Sequence, residues 1–298
     1  NTEVSNLDFT RIDNKTQVKN IVIKKEGIHK KLPVNSNDLL ISTIGSITTN
    51  SSYGNMKEAA KKNYNDKSPA WSFWENITKN HPEFGNPYAF SNSIDKSKWT
   101  SFTITFRSPL FFELIQKYIH KKVTSYGGIN LVDSNWFISI VITYNPYFIN
   151  QPDNVDLMWG FGLESGKEGN YVKKKMEDCN GEEIMTEIIY HLGLEDQLDK
   201  ILKSAICIPC TTPFVTSQFL ARAKNDRPKT IPDNTRNLAF IGQYTEIPED
   251  VVFTVEYSVR SAQMAVYSLL GIDKKIPPIY HGLHHFKVLW KAFLTIFR

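Results

Sequence analysis

Gly242 stands where the chain has its best opening for chemistry. It follows the apolar run Leu238–Ile241 and precedes Pro248, which opens a helical pattern predicted over 249–270. A buried strand turning through glycine into a helix start aims backbone N–H groups and a positive dipole end at one place, which favours an anion. In α/β proteins ligands gather at that end of the strands. A dinucleotide would also need a G-x-G-x-x-G turn for its phosphates, and no such run occurs in the 298 residues. Gly160-Phe-Gly162 with Ser165 is a degraded likeness, and Gly162–Lys167 falls one residue short of a phosphate loop. Both read as strand-to-loop turns, because a polar loop follows them.

Other reactive side chains form no catalytic set. Cys207 and Cys210 have C-x-x-C spacing inside the apolar, proline-broken run SAICIPCTTPF, and Cys179 is the third cysteine. Without a thioredoxin-like context or a second cysteine pair, buried thiols are favoured over redox or zinc chemistry. No metal site is expected. Three cysteines argue against a disulfide framework and for a reducing compartment. The histidines cluster only at His281, His284 and His285. Glu249 and Asp250 are placed in the first turn of the predicted helix, where the dipole compensates acidic charge. The segment Thr211–Phe219 mixes hydroxyls with aromatics, suiting either a ligand pocket with a few polar anchors or a core β segment.

These groups need positioning elements. Residues 1–47 alternate as strands over Leu7–Ile12, Val18–Lys24 and Lys30–Val34, with turns at Asp13-Asn14-Lys15 and Glu26-Gly27. Asp38–Gly45 reads as a continuous buried, parallel strand. Thr48–Ser68 reads as a loop with a short lysine-rich helix. Trp71–Lys79 is a predicted helix burying Trp71, Trp74 and Ile77. Further strands are expected over Phe102–Phe106, Trp136–Thr143 and Val155–Leu163. Helices are expected over Leu110–Lys121, with Phe112, Ile115 and Ile119 inward, and over Cys179–Leu192, capped by Asn180. The turn Gly127-Gly128 separates two of these elements. In 249–270 the valines Val251, Val252, Val255, Val259 and Val266 lower intrinsic helix propensity, so burial is expected to hold that helix, with Gly271 as its C-cap. The tail 281–298 lacks acidic residues and sets Phe286, Trp290, Phe293 and Phe297 on one face, with Lys287, Lys291 and Arg298 beside it. That pattern suits a membrane surface, or docking on the body or on a partner subunit.

The run PCTTPFVTSQFLARAKNDRP, followed by NLAFIGQYTEIPEDVVFTVEYSVRSAQMAVYSLLGI, resembles the oleate hydratase family, also called the myosin-cross-reactive antigen family. NDLLISTIGSITTNSSYG, FWENITKNHPEFGNPYAF, GGINLVDSNWFISI, NPYFINQP, GNYVKKKMEDCNGEEI and YHLGL agree, in order, over essentially the whole chain. The resemblance implies FAD-binding enzymes that add water to the cis-9 double bond of oleate or linoleate, giving 10-hydroxy acids, with the flavin in a structural or electrostatic part. It also implies homodimers, cytoplasmic or peripheral on the inner face of the membrane, whose C-terminal helices touch bilayers.

Family chains are roughly twice this length, and their glycine-rich fingerprint and catalytic acidic and tyrosine residues lie in the other half. No catalytic residue is therefore carried over, and this chain alone is expected to be inactive. Gly45 and Ser46 match the flavin-proximal turn, with Ile44 where a small polar residue is usual. Gly242, Gln243, Pro248, Glu249, Asp250, Val251, Val252 and Phe253 match the closing motif, whose amides are expected to face the flavin. Thr211, Thr212, Phe214, Thr216 and Ser217 match the fatty-acid channel segment, with Thr211 and Thr212 where methionine is common.

The expected fold class is α/β with an α+β insertion. It comprises a partial Rossmann-like, glutathione-reductase-type FAD domain (1–47 and 231–272), a substrate domain (48–230) and a membrane-facing helix (273–298). Rival readings are another FAD oxidoreductase of the same fold and a non-enzymatic lipid-surface module. Net charge of +4 points to no nucleic-acid partner. The start at Asn1 without Met reads as a processed or truncated beginning.

Overall fold

A computed structural model describes residues 2–66, 68–118, 128–143 and 145–297. Ile119 and Lys121 of the predicted helix, Gly127 of the turn, and the terminal Asn1 and Arg298 lie outside the described residues. The strands are β1 (Glu3–Ile12), β2 (Lys15–Lys25), β3 (Ile28–Pro33), β4 (Leu40–Thr43), β5 (Ser52–Tyr53), β6 (Trp99–Phe106), β7 (Gly128–Leu131), β8 (Ile138–Ile142), β9 (Asp156–Gly162), β10 (Ala205–Thr212) and β11 (Leu238–Ile241). The helices are α1 (Pro69–Thr78), α2 (Tyr88–Ser91), α3 (Ile94–Ser97), α4 (Leu110–Tyr118), α5 (Gly181–His191), α6 (Leu198–Ser204), α7 (Val255–Leu270) and α8 (Phe286–Ile296). Two compact units result: Asn1–Gly45 with Trp71–Pro87 and Arg222–Arg298, and Ser46–Ala70 with Tyr88–Ala221.

In the first unit β1, β2 and β3 form an antiparallel meander. Its hairpins close through Asp13-Asn14 and Glu26-Gly27, all at positive φ, the conformation that matches the strands' own twist. β4 and β11 form a separate parallel pair, Leu40 opposite Leu238 through Thr43 opposite Ile241. Asn237, buried, ties the two sheets. Its Oδ1 accepts from Val18 N (2.8 Å), and its Nδ2 donates to Val18 O (3.2 Å) and Asp38 O (3.3 Å). The core here is aromatic. Trp74 Nε1 donates to Phe84 O (2.8 Å), Phe84 meets Phe240 edge-on at 5.4 Å, and Trp71 meets Tyr244 edge-on at 5.0 Å.

Two expectations about this unit are corrected. The strand predicted over Asp38–Gly45 is regular only over Leu40–Thr43 and is half-buried, not enclosed. The helix predicted from 249 begins at Val255, capped by Thr254, whose Oγ1 accepts from Tyr257 N. Glu249 and Asp250 therefore precede the helix, and Glu256 is the acid of its first turn. The buried stripe of α7 is Tyr257, Ser261 and Ala265, while Val255 and Val259 are 77% and 50% exposed. Val255 and Val259 do not hold the helix in place; the stripe of Tyr257, Ser261 and Ala265 does. Gly271 ends the helix in the left-handed region (φ 63°), as expected.

The second unit is a six-stranded antiparallel sheet in the order β5-β10-β6-β9-β8-β7. One face carries Phe102, Ile104, Phe106, Ile138, Ile140, Met158 and Cys207 into a core completed by Phe111, Ile115, Ile184, Met185, Ile188 and Ile201 of the helices. Asn180 caps α5 in a reciprocal pairing with Glu183. Among the described residues of Thr48–Ser68 no helix forms. The lysines expected on it sit in irregular chain, Lys57 paired with Glu182 and Lys62 with Asp178. The degraded glycine fingerprint also resolves: a Cβ on Gly160 would strike the Phe102 ring, and one on Gly162 would strike Met176 Sδ. Both glycines serve strand packing. Period-two alternation in β10 buries Cys207 in the core and turns Cys210 to the opposite face. Burial pushes the Cys179 thiol up to about 12 and the Cys207 thiol up as well.

The polar loop 164–175 folds around Glu187, whose fully buried carboxylate accepts Asn170 N (2.6 Å), Tyr171 N (3.0 Å) and Val172 N (2.7 Å). Glu187→Ala strands those donors and is expected to lower stability by about 3 kcal/mol in urea titration. A loss below about 1 kcal/mol would contradict this role.

Candidate functional site

Parallel pairing of β4 with β11 places two glycines at the same, carboxyl end of the strands. Gly45 follows β4 at φ 64°, and Gly242 follows β11 at φ 94°. A Cβ on Gly242 would sit 3.8 Å from Thr43 Cγ2, whereas one on Gly45 would press into the Tyr244 ring at 2.8 Å and Trp71 at 3.0 Å. Gly45 is thus required twice, by its left-handed backbone and by the ring against it. Ile44 is buried in this turn. Ser46 Oγ lies 3.4 Å from Thr48 Oγ1.

The N–H of Gly242 is committed inside the protein, donating to Ser261 Oγ of α7 at 3.0 Å. That bond pins the helix to the turn. Among the described residues, the N–H groups of Gln243 and Val252 make no hydrogen bond. The connecting segment is shaped by local contacts. Ile247 N donates to Tyr257 Oη (3.1 Å), and Tyr257 Oη donates to Thr245 O (2.6 Å). Pro248 leads into Glu249, whose φ is 65°, and Phe253 has φ 84°. Asp250 accepts from Val251 N and pairs with Arg260 Nε at 2.8 Å, so a guanidinium rather than the helix dipole compensates it. Glu249 lies 3.5 Å from His281. Val251 and Phe253 are exposed. These residues make a turn rich in carboxylates and apolar side chains, with a few backbone donors.

In the second unit the channel candidates divide by what their hydroxyls do. Thr216 N and Oγ1 both donate to Ser97 O (3.1 Å each), Ser217 Oγ donates to Phe214 O (2.8 Å), and Ser97 Oγ donates to Pro213 O (2.8 Å). Thr216 and Ser217 thereby build the turn after β10, with Phe214 buried beneath it. Thr212 is buried opposite Trp99. Thr211 differs: its Oγ1 is buried and has no hydrogen-bond partner among the described residues. Its register partner on β6, Thr100, is in the same condition. Two orphaned hydroxyls side by side are uncommon in a folded interior, and they are the polar atoms here with capacity to spare for a ligand. The sequence reading missed Thr100. Its signal was a hydroxyl at a core-facing position of β6, ahead of Phe102, Ile104 and Phe106.

The described residues contain no cluster of His, Cys, Asp or Glu suited to a metal ion. No helix among them is long and apolar enough to cross a membrane.

Comparison with known proteins then decides the family. Residues 1–267 match the MCRA family. The chain belongs to that family. It is 38% identical over 304 residues to an oleate hydratase of Streptococcus pyogenes serotype M49 (strain NZ131), covering 98% of this chain and 51% of that protein. It is 29% identical over 287 residues to a linoleate hydratase of Lactiplantibacillus plantarum, covering 88% of this chain and 49% of that protein. This MCRA chain spans about half the length of the curated relatives it matches.

Thr100→Val is expected to stabilise the protein by about 1 kcal/mol in thermal or urea unfolding, since it removes a buried, unpartnered hydroxyl. The same change should weaken binding of a carboxylate-bearing ligand to this unit. A destabilised variant with unchanged ligand binding would mean that the hydroxyl serves only the fold.

Proposed function

We propose that this chain forms the closing part of an FAD-dependent fatty-acid hydratase. The reaction adds water across the cis-9 double bond of oleate or linoleate and yields the 10-hydroxy acid. The carrying observation is the position of Gly45 and Gly242, both at positive φ, at the carboxyl end of the parallel pair, where α/β proteins take their ligands. Family membership and the names of the two relatives support the substrate class.

The residues at that turn suit the ring end of a flavin better than its phosphates. Glu249 would repel phosphate, whereas the amides of Gln243 and Val252 beside exposed Val251 and Phe253 suit a flat ring with polar edges. Gly45, Ser46, Gly242, Gln243 and 248–253 are the residues assigned to hold it. When bound, FAD supplies charge and shape to the site, with no net redox turnover.

Hydration needs a proton for one alkene carbon and a water oxygen for the other, with the water's second proton passing to a base; one water is consumed. In this reading the chain orients the substrate. Thr211 and Thr100 offer hydroxyls, Thr212 and Phe214 line the wall, and Thr216 and Ser217 fix the turn that carries them. The proton donor and the group that activates water lie in the part of the relatives' length that this chain does not span.

Incubation of the purified chain with oleate is therefore expected to give no 10-hydroxystearate by mass spectrometry. Product above the enzyme-free control would overturn the division of labour. Bleaching of added FAD by a substrate would favour the rival reading of a redox flavoenzyme.

A second reading is favoured by α8. All of its residues are exposed, and Phe286, Trp290, Phe293 and Phe297 form a ladder with successive ring separations of 6.3, 5.7 and 5.0 Å. Such a face, with lysines beside it, suits the inner surface of a membrane, where the hydratase would sit as a peripheral homodimer. Deleting 281–298 is expected to cut co-sedimentation with anionic vesicles at least fivefold. Equal binding without the tail rejects this role.

A further inference from the structure

The first unit contains a cavity of about 710 Å³ to which the assignments above give no role; they share only Pro248 with it. Its wall comes from the segment 222–231, from Glu246 and Pro248, and from Met264 and Ser268, one turn apart on α7. Asp233 pairs with Lys229 at 2.6 Å, and four cationic side chains line the cavity, Arg222, Lys224, Arg227 and Lys229, against the single lining carboxylate of Glu246. That carboxylate is taken by Arg222 at 3.0 Å. Arg227 is buried beside the Tyr257 hydroxyl and near Glu246, and loss of solvent pulls its guanidinium pKa down. A buried cation is costly and gains from an anion brought to it.

An independent observation points into the same cavity. Thr230 lines it, is 1% exposed, and its Oγ1 has no hydrogen-bond partner among the described residues. A buried hydroxyl beside cations can donate to an anionic oxygen. The remaining lining includes Ile231, Pro248 and Met264, which are apolar, and no aromatic ring. A nucleobase or flavin ring would find nothing to stack on. A flexible hydrocarbon chain would find surface to bury at about 25 cal/mol per Å². The volume falls within the usual range for small-molecule sites, roughly 300–1,000 Å³.

We propose that this cavity binds a single-chain anionic amphiphile, with its head at Arg227, Lys229 and Thr230 and its chain along Ile231, Pro248 and Met264. The cavity shares no lining residue with the channel segment of the second unit. It stands whether or not the hydratase reading does.

The test uses the full chain and a photoreactive, carboxylate-headed C18 fatty acid, with peptide mapping after irradiation. Label is expected on peptides carrying 222–231 or 255–270. It should fall at least fivefold in Lys224→Glu/Lys229→Glu, a change confined to exposed side chains, and in Met264→Trp, which fills the cavity. The matching alcohol-headed probe should label these peptides at least fivefold less, and Thr100→Val should leave the label unchanged. A loss under fivefold in the double variant, or comparable labelling by the alcohol, overturns the proposal. So does absence of label from these peptides. Failure of the hydratase reading would appear in the product assay instead.

Discussion

The parallel pairing of β4 with β11 is the constraint on which the first unit rests. Only four residue pairs make it, and an isolated two-stranded parallel ribbon has little stability of its own. Asn237 supplies what the ribbon lacks. One side-chain amide bonds both backbone groups of Val18 and the carbonyl of Asp38, so the meander, the entry to β4 and the start of β11 become one object. The register then puts Gly45 and Gly242 at the same end of the pair, and Ser261 fastens α7 to the second of them.

Much of this was legible from the sequence because it depends on local rules. Alternation marked the meander, the Glu26-Gly27 and Asp13-Asn14 turns stood where positive φ was required, and Asn180 with Glu183 announced the start of α5. The errors came where distant residues decide local form. Lys57 and Lys62 looked helical, yet they sit in irregular chain and pair with carboxylates over a hundred positions away. Pro248 looked like a helix start, yet Thr254 provides the capping oxygen, and the intervening residues follow contacts with Tyr257 and Arg260.

The site was legible in part. Gly45 and Gly242 could be chosen from the sequence, since a glycine directly after an apolar strand marks a sharp turn of the backbone at the sheet's edge. Thr100 could not, because its significance lies in the register that sets it opposite Thr211 and in the hydrogen bonds that neither makes. The hydroxyls of Thr216 and Ser217 looked equally eligible and prove to be engaged with backbone carbonyls. Hydroxyl content marks a segment as capable of binding; only the satisfied and unsatisfied partners separate a ligand wall from a turn.

The strand carrying Cys207 and Cys210 has a consequence for how the molecule ages. Their sulfurs project from opposite sides of β10, so an oxidant cannot join them unless the strand is first unpaired and twisted between the two. That motion would draw Cys207 out of the interior and leave its place empty. The sheet itself is therefore the guard against this bridge, and it guards best when most tightly folded.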